Sequence, residues 1–596
     1  MLAIFGVAIT CAGTATLTSV EETPVLEPPA PDPPPPPPFV EPPPPARMTL
    51  QLPDYGRTNP PFPYFPGENR HRSLSIGTVT GGYLVNARRL PSPHPHLTTL
   101  PRQYQRGFQY AGDPLVQLVA DAADHVGEKY PDARVPLGNF SRKGGGNIPQ
   151  SVSHNNGRDA DIAFFVIDEE GQPTNPPDLL KFDEHGRFEG TFNGEELVLE
   201  FDVERNWRLV EGLIESDGAD IQYIFVSNPL RRMLLAEARR QGASASTLRI
   251  ASRVLVQPGG NALPHDDHFH LRIHCTAEDF AAGCRERGRP GPTFTADLAL
   301  KRGAIERAAN YLDGDDPELR LVAIRRLELL ENHRLHARIA DHIEDSDPRV
   351  RAAAVRSLRN HTNYRDLLID RLHEEEDPRV FAEVARSLTY HGDDAVQPLI
   401  AALGRNKPLS TGLAAGEFIS TDALVADALA TLEHPDAVPE LIATLDGAHP
   451  PTMPQLVHAL RILTNHQFFD DLDPRDETRR AEIIDTWTRW WEENQEFDHS
   501  QWVAAGFRQA GYNVESLDSD DVWELCRAIS DERHLNVNAQ RVLKRLSGQS
   551  PGSLQWDPYD ASFYWRRWFE RRQDQFALPP IPTELSTADG YTPPER

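Results

Sequence analysis

The sequence predicts a multidomain protein in which an α+β domain with a central antiparallel sheet precedes an all-α solenoid of helical repeats. The chain has 596 residues, more than one hydrophobic core organises. Strand-like apolar runs and an amphipathic helix alternate between Ser73 and Arg289. Beyond that segment, Asp-Pro pairs recur at intervals of 31 and 30 residues, each before a helical stripe of apolar side chains.

The composition argues against a transmembrane protein and against a nucleic-acid-binding protein. Hydrophobic residues make up 39% and charged residues 25% of the chain, which is ordinary for a soluble globular protein. No apolar run reaches the ~20 residues that a transmembrane helix needs. The net charge of -28 argues against nucleic acid as the main partner, because binding a phosphate backbone requires clustered Lys and Arg.

The N-terminal segments predict export. Residues 1–22 are apolar and rich in small residues, like a signal peptide, although the usual basic start is missing. Cys11 is a candidate for a lipid anchor, which Thr10 at the preceding position fits poorly. Residues 23–70 form a Pro-rich linker that polyproline II would extend.

The α+β domain is predicted over residues 71–292. Its helix and strands are expected at Pro114–Val126, Asp161–Ile167, Ile221–Val226 and His268–His274. Cys275 and Cys284 lie nine residues apart just after the last strand. This spacing fits a local disulfide, which suits an exported protein, and it fits two unrelated buried thiols equally well.

Two histidine-bearing segments border these strands. The first, Ser153–Asp161, runs directly into an apolar strand, and the second spans His265–Arg272. Since residues two apart in a strand face the same side, His268, His270 and Arg272 are predicted to line one face. The residues between them are apolar and would be buried on the opposite face.

This arrangement is suited to a metal ion. Catalytic zinc requires three protein ligands from His and carboxylate plus one open position. His154, Asp161 and one of the strand histidines, His268 or His270, could supply the three ligands. The alternative is a set of surface histidines with no shared purpose.

Residues 73–289 resemble the penicillin-insensitive murein endopeptidases, which belong to a wider group with lysostaphin, D-alanyl-D-alanine peptidases and the hedgehog signalling domain. The family pattern is Ser-His-x-x-Gly-x-Asp-x-Asp, followed by His-x-x-His-x-His-x-Arg and a cysteine. It is matched by Ser153, His154, Gly157, Asp159, Asp161, His265, His268, His270, Arg272 and Cys275.

The resemblance implies zinc as the cofactor, with His154, Asp161 and His270 as its ligands. It implies that His268 is the general base and that His265 stabilises the transition state or orients the substrate. The odd spacing of His265 from His268 requires a turn there, because a continuous strand would place it on the opposite face. Asp159 is expected to contact a metal ligand and not to bind the metal itself.

The same resemblance implies hydrolysis of peptide crosslinks in peptidoglycan, at the D-alanyl–meso-diaminopimelyl bond. The site of action would be the periplasm or cell envelope of a Gram-negative-type bacterium. Two alternatives remain. One is a D,D-carboxypeptidase of the same group, and the other is a scaffold that binds the wall without cutting it.

Residues 300–450 look like HEAT-type helical repeats. Their Asp-Pro pairs begin at Asp316, Asp347 and Asp377, where Asp suits a helix N-cap and Pro the first helical position. Each stripe ends on a leucine, at Leu327, Leu358 and Leu388. Because such stacks present extended surfaces, we expect a protein partner here, and we expect hydrolysis to survive deletion of residues 300–596.

A helical extension is predicted over residues 451–575, followed by a tail over residues 576–596. Two aromatic sets in it recur at helical spacing: Trp487, Trp490 and Trp491, then Trp565, Trp568 and Phe569. Packing against the end of the solenoid is the favoured role for these faces, and sugar or peptide binding is the alternative. Cys526 is expected to be a buried thiol.

Overall fold

The computed structural model describes residues 62–90, 94–148, 150–259, 262–291, 294–405, 407–410, 418–469, 473, 475–531, 534–549 and 558–586. The signal-like segment, Cys11 and residues 23–61 of the Pro-rich linker lie outside the described residues. None of the described helices has both the length and the apolar character needed to span a membrane.

The N-terminal α/β domain contains a mixture of short strands and longer helices. In chain order these are β1 Leu74–Thr78, β2 Gly81–Val85, β3 Arg88–Arg89, β4 Leu97–Thr99, α1 Pro101–Arg106, β5 Tyr110–Ala111, α2 Asp113–Lys129, β6 Val135–Leu137, β7 Asp159–Ala163, β8 Val166–Ile167, β9 Pro173–Thr174, β10 Arg187–Phe192, β11 Glu195–Phe201, α3 Val203–Glu215, β12 Ile221–Phe225, α4 Asn228–Arg240, α5 Ala245–Val254, β13 Leu255–Val256, β14 His268–Ile273 and α6 Ala277–Ala282. The predicted helix and two of the three predicted strands match α2, β12 and β14. The remaining prediction, one continuous strand over Asp161–Ile167, is wrong. The chain leaves the central sheet at the end of β7, and the next strand, β8, belongs to a different sheet.

The central sheet has the strand order β13-β12-β14-β7-β6-β4. Its middle pairs are antiparallel, as predicted, but both edge pairs, β12 with β13 and β4 with β6, are parallel. The predicted antiparallel sheet is therefore corrected to a mixed one. The reason lies in the connections. Helices α4 and α5 separate β12 from β13, while α1 and α2 separate β4 from β6, and such crossovers return the chain in the same direction.

One face of the central sheet is apolar and covered by helices. Phe269, Leu271 and Ile273 of β14 are 0–1% exposed and share a core with side chains of α2, α3, α4 and α5. The alternate residues of β14, beginning with His268, therefore lie on the opposite face. This confirms the predicted alternation along the strand and leaves one polar sheet face for the site.

The last segment of the α/β domain contains a disulfide and is hydrogen-bonded to the first strand. Cys275 and Cys284 form a disulfide across α6, which decides between the two alternatives that their spacing allowed. The Asp279 side chain of α6 accepts a hydrogen bond from the backbone N–H of Ser75 (2.9 Å). The backbone N–H of Gly77 in turn donates to the carbonyl of Gly283 (3.1 Å).

After α6, the secondary structure of the described residues is helical apart from two short strands that pair antiparallel. In chain order its elements are α7 Phe294–Leu312, α8 Pro317–Leu329, α9 His336–Ala340, α10 Pro348–Leu358, α11 Arg365–Glu374, α12 Pro378–Leu388, α13 Val396–Ile400, β15 Pro408–Ser410, β16 Phe418–Ser420, α14 Thr421–Leu432, α15 Ala437–Gly447, α16 Met453–Thr464, α17 Glu477–Asn494, α18 His499–Gln509, α19 Val522–Ala528, α20 His534–Ser547, α21 Pro558–Glu570 and α22 Gln573–Phe576. Short 3-10 helices lie at His333–Leu335, Asp341–Glu344, Thr362–Tyr364, Thr389–Ala395, Ser519–Asp521 and Thr583–Leu585.

The Asp-Pro pairs cap helices as predicted. The Asp316, Asp347 and Asp377 side chains accept hydrogen bonds from backbone N–H groups at the starts of α8, α10 and α12, at 2.8–2.9 Å. These three helices pack side by side, and the leucines that end their stripes are buried in one continuous core. We call the segments that begin at Asp316, Asp347 and Asp377 the first, second and third Asp-Pro units. Their assignment to the HEAT type stays a prediction.

The two aromatic sets have different surroundings. Trp487 and Trp490 of α17 belong to the same core as the Asp-Pro units, as the packing hypothesis expected. Trp565 and Phe569 of α21 instead belong to a separate C-terminal core, so the packing prediction is wrong for that set. Cys526 lies in the same C-terminal core, where burial raises the pKa of its thiol, so the predicted buried thiol is confirmed.

Candidate metal centre and catalytic site

Strand pairing brings the two histidine segments together. In the antiparallel register of β7 and β14, His270 lies opposite Asp161, and Arg272 lies opposite Asp159. Directly opposite residues on one face have their side chains about 5 Å apart. Two motifs separated by roughly a hundred residues of sequence thus form one cluster on the polar face of the sheet.

His154 reaches this cluster from the turn that precedes β7. Its ring is fully buried, and its φ of 73° is uncommon for a residue with a side chain. The backbone N–H of His154 donates to Asp159 (3.3 Å), and its carbonyl accepts from the hydroxyl of Ser141. Gly157 completes the turn with a φ of 78°, and a Cβ there would lie 2.7 Å from the Leu84 side chain. The turn is therefore fixed by contacts on both sides.

The three residues predicted as metal ligands converge on one point. Oδ1 of Asp161 lies 3.2 Å from Nε2 of His154 and 3.1 Å from Nδ1 of His270. One nitrogen or oxygen from each of the three residues falls within 4.8 Å of the others. Among the described residues, neither ring nitrogen of His154 nor Oδ1 of Asp161 has a hydrogen-bond partner, although all are buried. A cation bound between them would satisfy polar atoms whose burial is otherwise costly.

Asn139 orients the Asp161 carboxylate. Its Nδ2 donates to Oδ2 of Asp161 (3.1 Å), which leaves Oδ1 directed at the imidazoles. Burial would raise the pKa of Asp161, but the His154 and His268 rings outweigh it and hold that pKa well below its ordinary value. The carboxylate is therefore ionised. The Asn139 side chain also accepts a hydrogen bond from Arg106 (3.1 Å).

Asp159 lies behind His270. Its Oδ2 is 3.3 Å from Nε2 of His270, while Arg272 donates to both carboxylate oxygens at 2.7 and 2.8 Å. Burial acts to raise the pKa of Asp159, but Arg272 and His270 keep it well below the usual range. An imidazole with one nitrogen toward the site and the other toward a carboxylate is the arrangement that orients metal-binding histidines.

His268 stands beside the three converging groups with a carboxylate behind it. Its Nε2 is 3.2 Å from Oδ1 of Asp161, and its Nδ1 is 2.6 Å from Oδ1 of Asp267. Burial disfavours the charged ring, but Asp267 and Asp161 outweigh it and raise the pKa of His268 well above its ordinary value. Sequence reasoning assigned no role to Asp267. The sequence signal that could have identified Asp267 is its position directly before His268.

His265 lies on a turn before β14, as its spacing required. Its φ is 56°, and its Nδ1 is 2.9 Å from the carbonyl oxygen of Leu263. Its ring centroid lies 5.2 Å from that of His268 and 5.3 Å from that of His270. Burial, with contributions from both neighbours, lowers the pKa of His265 to about 3. The ring is therefore neutral, and with His268 and His270 it forms a second, overlapping group that could hold a metal.

The C-terminal helix α21 borders this site, which sequence reasoning missed. Arg142, in the loop before His154, forms an ion pair with the buried Asp560 of α21 (2.9 Å). Arg567 of the same helix donates to the backbone carbonyl of Gln150 (3.3 Å). Burial lowers the pKa of Arg567 to about 10, with a contribution from Arg571, while the carboxylates of Asp267 and Asp161 act in the opposite direction. No local pattern could indicate a contact between segments roughly four hundred residues apart.

The comparison with known families agrees with the motifs. Residues 75–302 match the family model described as penicillin-insensitive murein endopeptidase, which confirms the resemblance. No curated protein matches the chain. The match covers the α/β domain with both histidine segments and supports a peptidase that acts on peptidoglycan, consistent with an exported or envelope protein.

Proposed function

We propose that the chain is a zinc-dependent endopeptidase that cleaves the D-alanyl–meso-diaminopimelyl crosslink of peptidoglycan. The observation that carries this proposal is the convergence of His154, Asp161 and His270, with His268 beside them, inside the segment that matches the murein endopeptidase family. The proposed setting is the periplasm or cell envelope of a Gram-negative-type bacterium, with export by the signal-like segment.

The donor set fits zinc. Two imidazoles and one carboxylate are typical ligands of a catalytic zinc site, which keeps one position open. His154, Asp161 and His270 would hold the ion, and Asn139 and Asp159 would orient two of these ligands. When bound, zinc would supply a Lewis acid for the peptide carbonyl and lower the pKa of water towards ~7.

His268 would move the proton. With Nδ1 directed at Asp267, its Nε2 faces the site. A cation held by Asp161 would cancel one of the two carboxylate charges that raise the pKa of His268, so the ring would then be neutral and its Nε2 would take a proton from the attacking water. The same nitrogen would then deliver the proton to the leaving amine. Asp267 would keep the ring oriented and stabilise its charged form, as a carboxylate does behind other catalytic histidines.

His265 would orient the substrate. Its Nδ1 faces the carbonyl of Leu263, so in the neutral ring the proton is best placed on Nδ1. The Nε2 atom is then a hydrogen-bond acceptor. An acceptor can hold a peptide N–H or an ammonium group, but it cannot donate to a developing oxyanion. Of the two roles implied for His265, this tautomer favours orientation.

Product masses test the proposal. Full-length protein would be incubated with purified diaminopimelate-type peptidoglycan and with isolated crosslinked dimers. The masses of the soluble products would then be measured by mass spectrometry. We expect dimers to become monomers without release of free alanine. Free alanine from uncrosslinked peptides would instead identify a D,D-carboxypeptidase. Zinc binding with wall binding but no cleaved bond would identify a scaffold.

The helical region would serve two purposes. Residues 300–450, as HEAT-type repeats, would bind a protein partner. The contacts of α21 with the loop before His154 support an additional role at the edge of the catalytic site. The sequence alone predicts that deletion of residues 300–596 leaves hydrolysis intact, whereas these contacts favour a loss of hydrolysis.

Arg567→Gln tests the contribution of α21. We expect kcat/KM on soluble crosslinked dimers to fall roughly tenfold, the scale of one charge-assisted hydrogen bond, with zinc content unchanged. The matched control is Arg566→Gln, one position earlier on the same helix, where Nε points back to the carbonyl of Ser562 (3.4 Å). Equal kcat/KM values for both variants and the wild type would show that α21 is not part of the catalytic unit.

A further inference from the structure

A second histidine cluster lies in the helical region, away from the candidate peptidase site. His333, His336 and His361 have ring centroids 3.9–5.2 Å apart. One ring nitrogen from each residue falls within 4.8 Å of the others. His336 is buried, His361 is half-buried and His333 is exposed, so the cluster is open to solvent on one side.

The stacking of the Asp-Pro units assembles this cluster. Helix α8 of the first unit ends at Leu329, and a left-handed residue, Glu331 (φ 50°), turns the chain into the segment that carries His333 and His336. Helix α10 of the second unit ends at Leu358, and His361 follows in the corresponding turn. Because α8 and α10 pack side by side, their turns are neighbours. The cluster therefore joins two successive units.

No hydrogen-bonding or ionic partner in the described part of the chain explains why the three rings lie together. Within the described residues, no hydrogen bond or ion pair is formed by a ring nitrogen of His333, His336 or His361. Burial, with contributions from His361 and His333, lowers the pKa of His336 to about 4, and burial with His333 lowers that of His361. Both rings are thus neutral near pH 7 and offer a nitrogen lone pair, the form that binds metals.

We propose that His333, His336 and His361 form a second metal site, which binds a transition-metal cation such as Zn²⁺ and links the first two Asp-Pro units. Three imidazoles without a carboxylate favour zinc, cobalt, nickel or copper over calcium and magnesium. Three protein ligands leave a fourth position for water or a ligand from outside. The proposal does not depend on the peptidase activity, since none of the three histidines belongs to the α/β domain.

Zinc content of the full chain tests the site. Protein would be stripped with a chelator, loaded with Zn²⁺, dialysed and analysed for metal. We expect about two zinc ions per wild-type chain and about one in His336→Ala. Asp161→Asn, at the peptidase site, would also hold about one, and the double variant essentially none. We further expect zinc to raise the Tm of Asp161→Asn, and this rise to disappear in the double variant.

Two further variants, together with Asp161→Asn, separate metal loss from unfolding and from failure of the peptidase proposal. His391→Ala changes the third unit three residues after Leu388, just as His361 follows Leu358, and should keep both ions. His333→Ala alters an exposed ring and should weaken the site without affecting the fold. One ion in the wild type and none in Asp161→Asn would overturn the second site alone. One ion in Asp161→Asn that His336→Ala removes would support it, even if no wall bond is cut.

Discussion

Replacement of Asp161 with asparagine is expected to remove the peptidase-site metal and to reduce crosslink hydrolysis by roughly 10³-fold or more. The affinity for zinc should fall by more than the ~10–100-fold that is typical when only an outer partner is lost. Loss of a single preorganised electrostatic contact costs ~10²–10³ in other hydrolases, and Asp161 is the only carboxylate in the proposed ligand set. Asparagine keeps the shape of the side chain but not its charge.

Zinc affinity and rate would be measured on the same preparation, with far-UV circular dichroism as a check on folding. The matched control is Asp202→Asn, since Asp202 is also buried and caps α3, for which asparagine is equally suited. The substitution also removes the charge that pairs with Arg205 (2.7 Å), so it tests loss of a buried carboxylate away from the metal site. Wild-type zinc affinity at the peptidase site in Asp161→Asn would contradict the proposed ligand set. The overlapping group of His265, His268 and His270 would then be the better candidate.

Features that depend on local periodicity could be predicted from the sequence. The alternation along His268–Ile273 follows from two-residue periodicity, and the helix starts at Asp347 and Asp377 follow from the chemistry of N-caps. The converging residues of the candidate site could be named because their spacing resembles a known family. The first two inferences use only residues close in sequence to the feature, whereas the third joins two distant segments through the family pattern.

Features that depend on distant contacts could not be predicted. The parallel edges of the sheet arise from helical crossovers whose direction a strand pattern does not contain. Asn139 reaches Asp161 only because β6 lies beside β7, and Arg567 reaches Gln150 only because α21 packs on the α/β domain. The turns that gather His333 and His361 are likewise adjacent only through the packing of α8 on α10. Such neighbours are fixed by tertiary packing.

The geometry of the candidate site separates ligands from the proposed base. His154 and His270 approach Asp161 with one nitrogen each, and the outer nitrogen of His270 faces Asp159, which is already paired with Arg272. His268 instead has a carboxylate of its own, Asp267, at 2.6 Å. A ring held this way can accept and release a proton without leaving its position.

Replacement of His268 with alanine should therefore separate metal binding from catalysis. We expect hydrolysis of crosslinked dimers to fall by ~10²–10⁴, the usual contribution of a general base, while zinc affinity at the peptidase site stays near that of the wild type. Asp267→Asn should cause a smaller loss of kcat, because the base remains but loses the group that orients it. Both variants should show nearly unchanged KM if the substrate is held by other residues.

The control for His268→Ala is His185→Ala, which removes an exposed imidazole between the strands β9 and β10 and should leave both properties unchanged. If His268→Ala lost the peptidase-site zinc together with its activity, His268 would be a ligand, and the proton would have to be moved by His265. That exchange of roles is chemically demanding, since burial keeps the pKa of His265 at about 3, far below that of an effective base at pH 7. The pair of measurements, rate and zinc affinity, thus assigns the base and the ligands in one experiment.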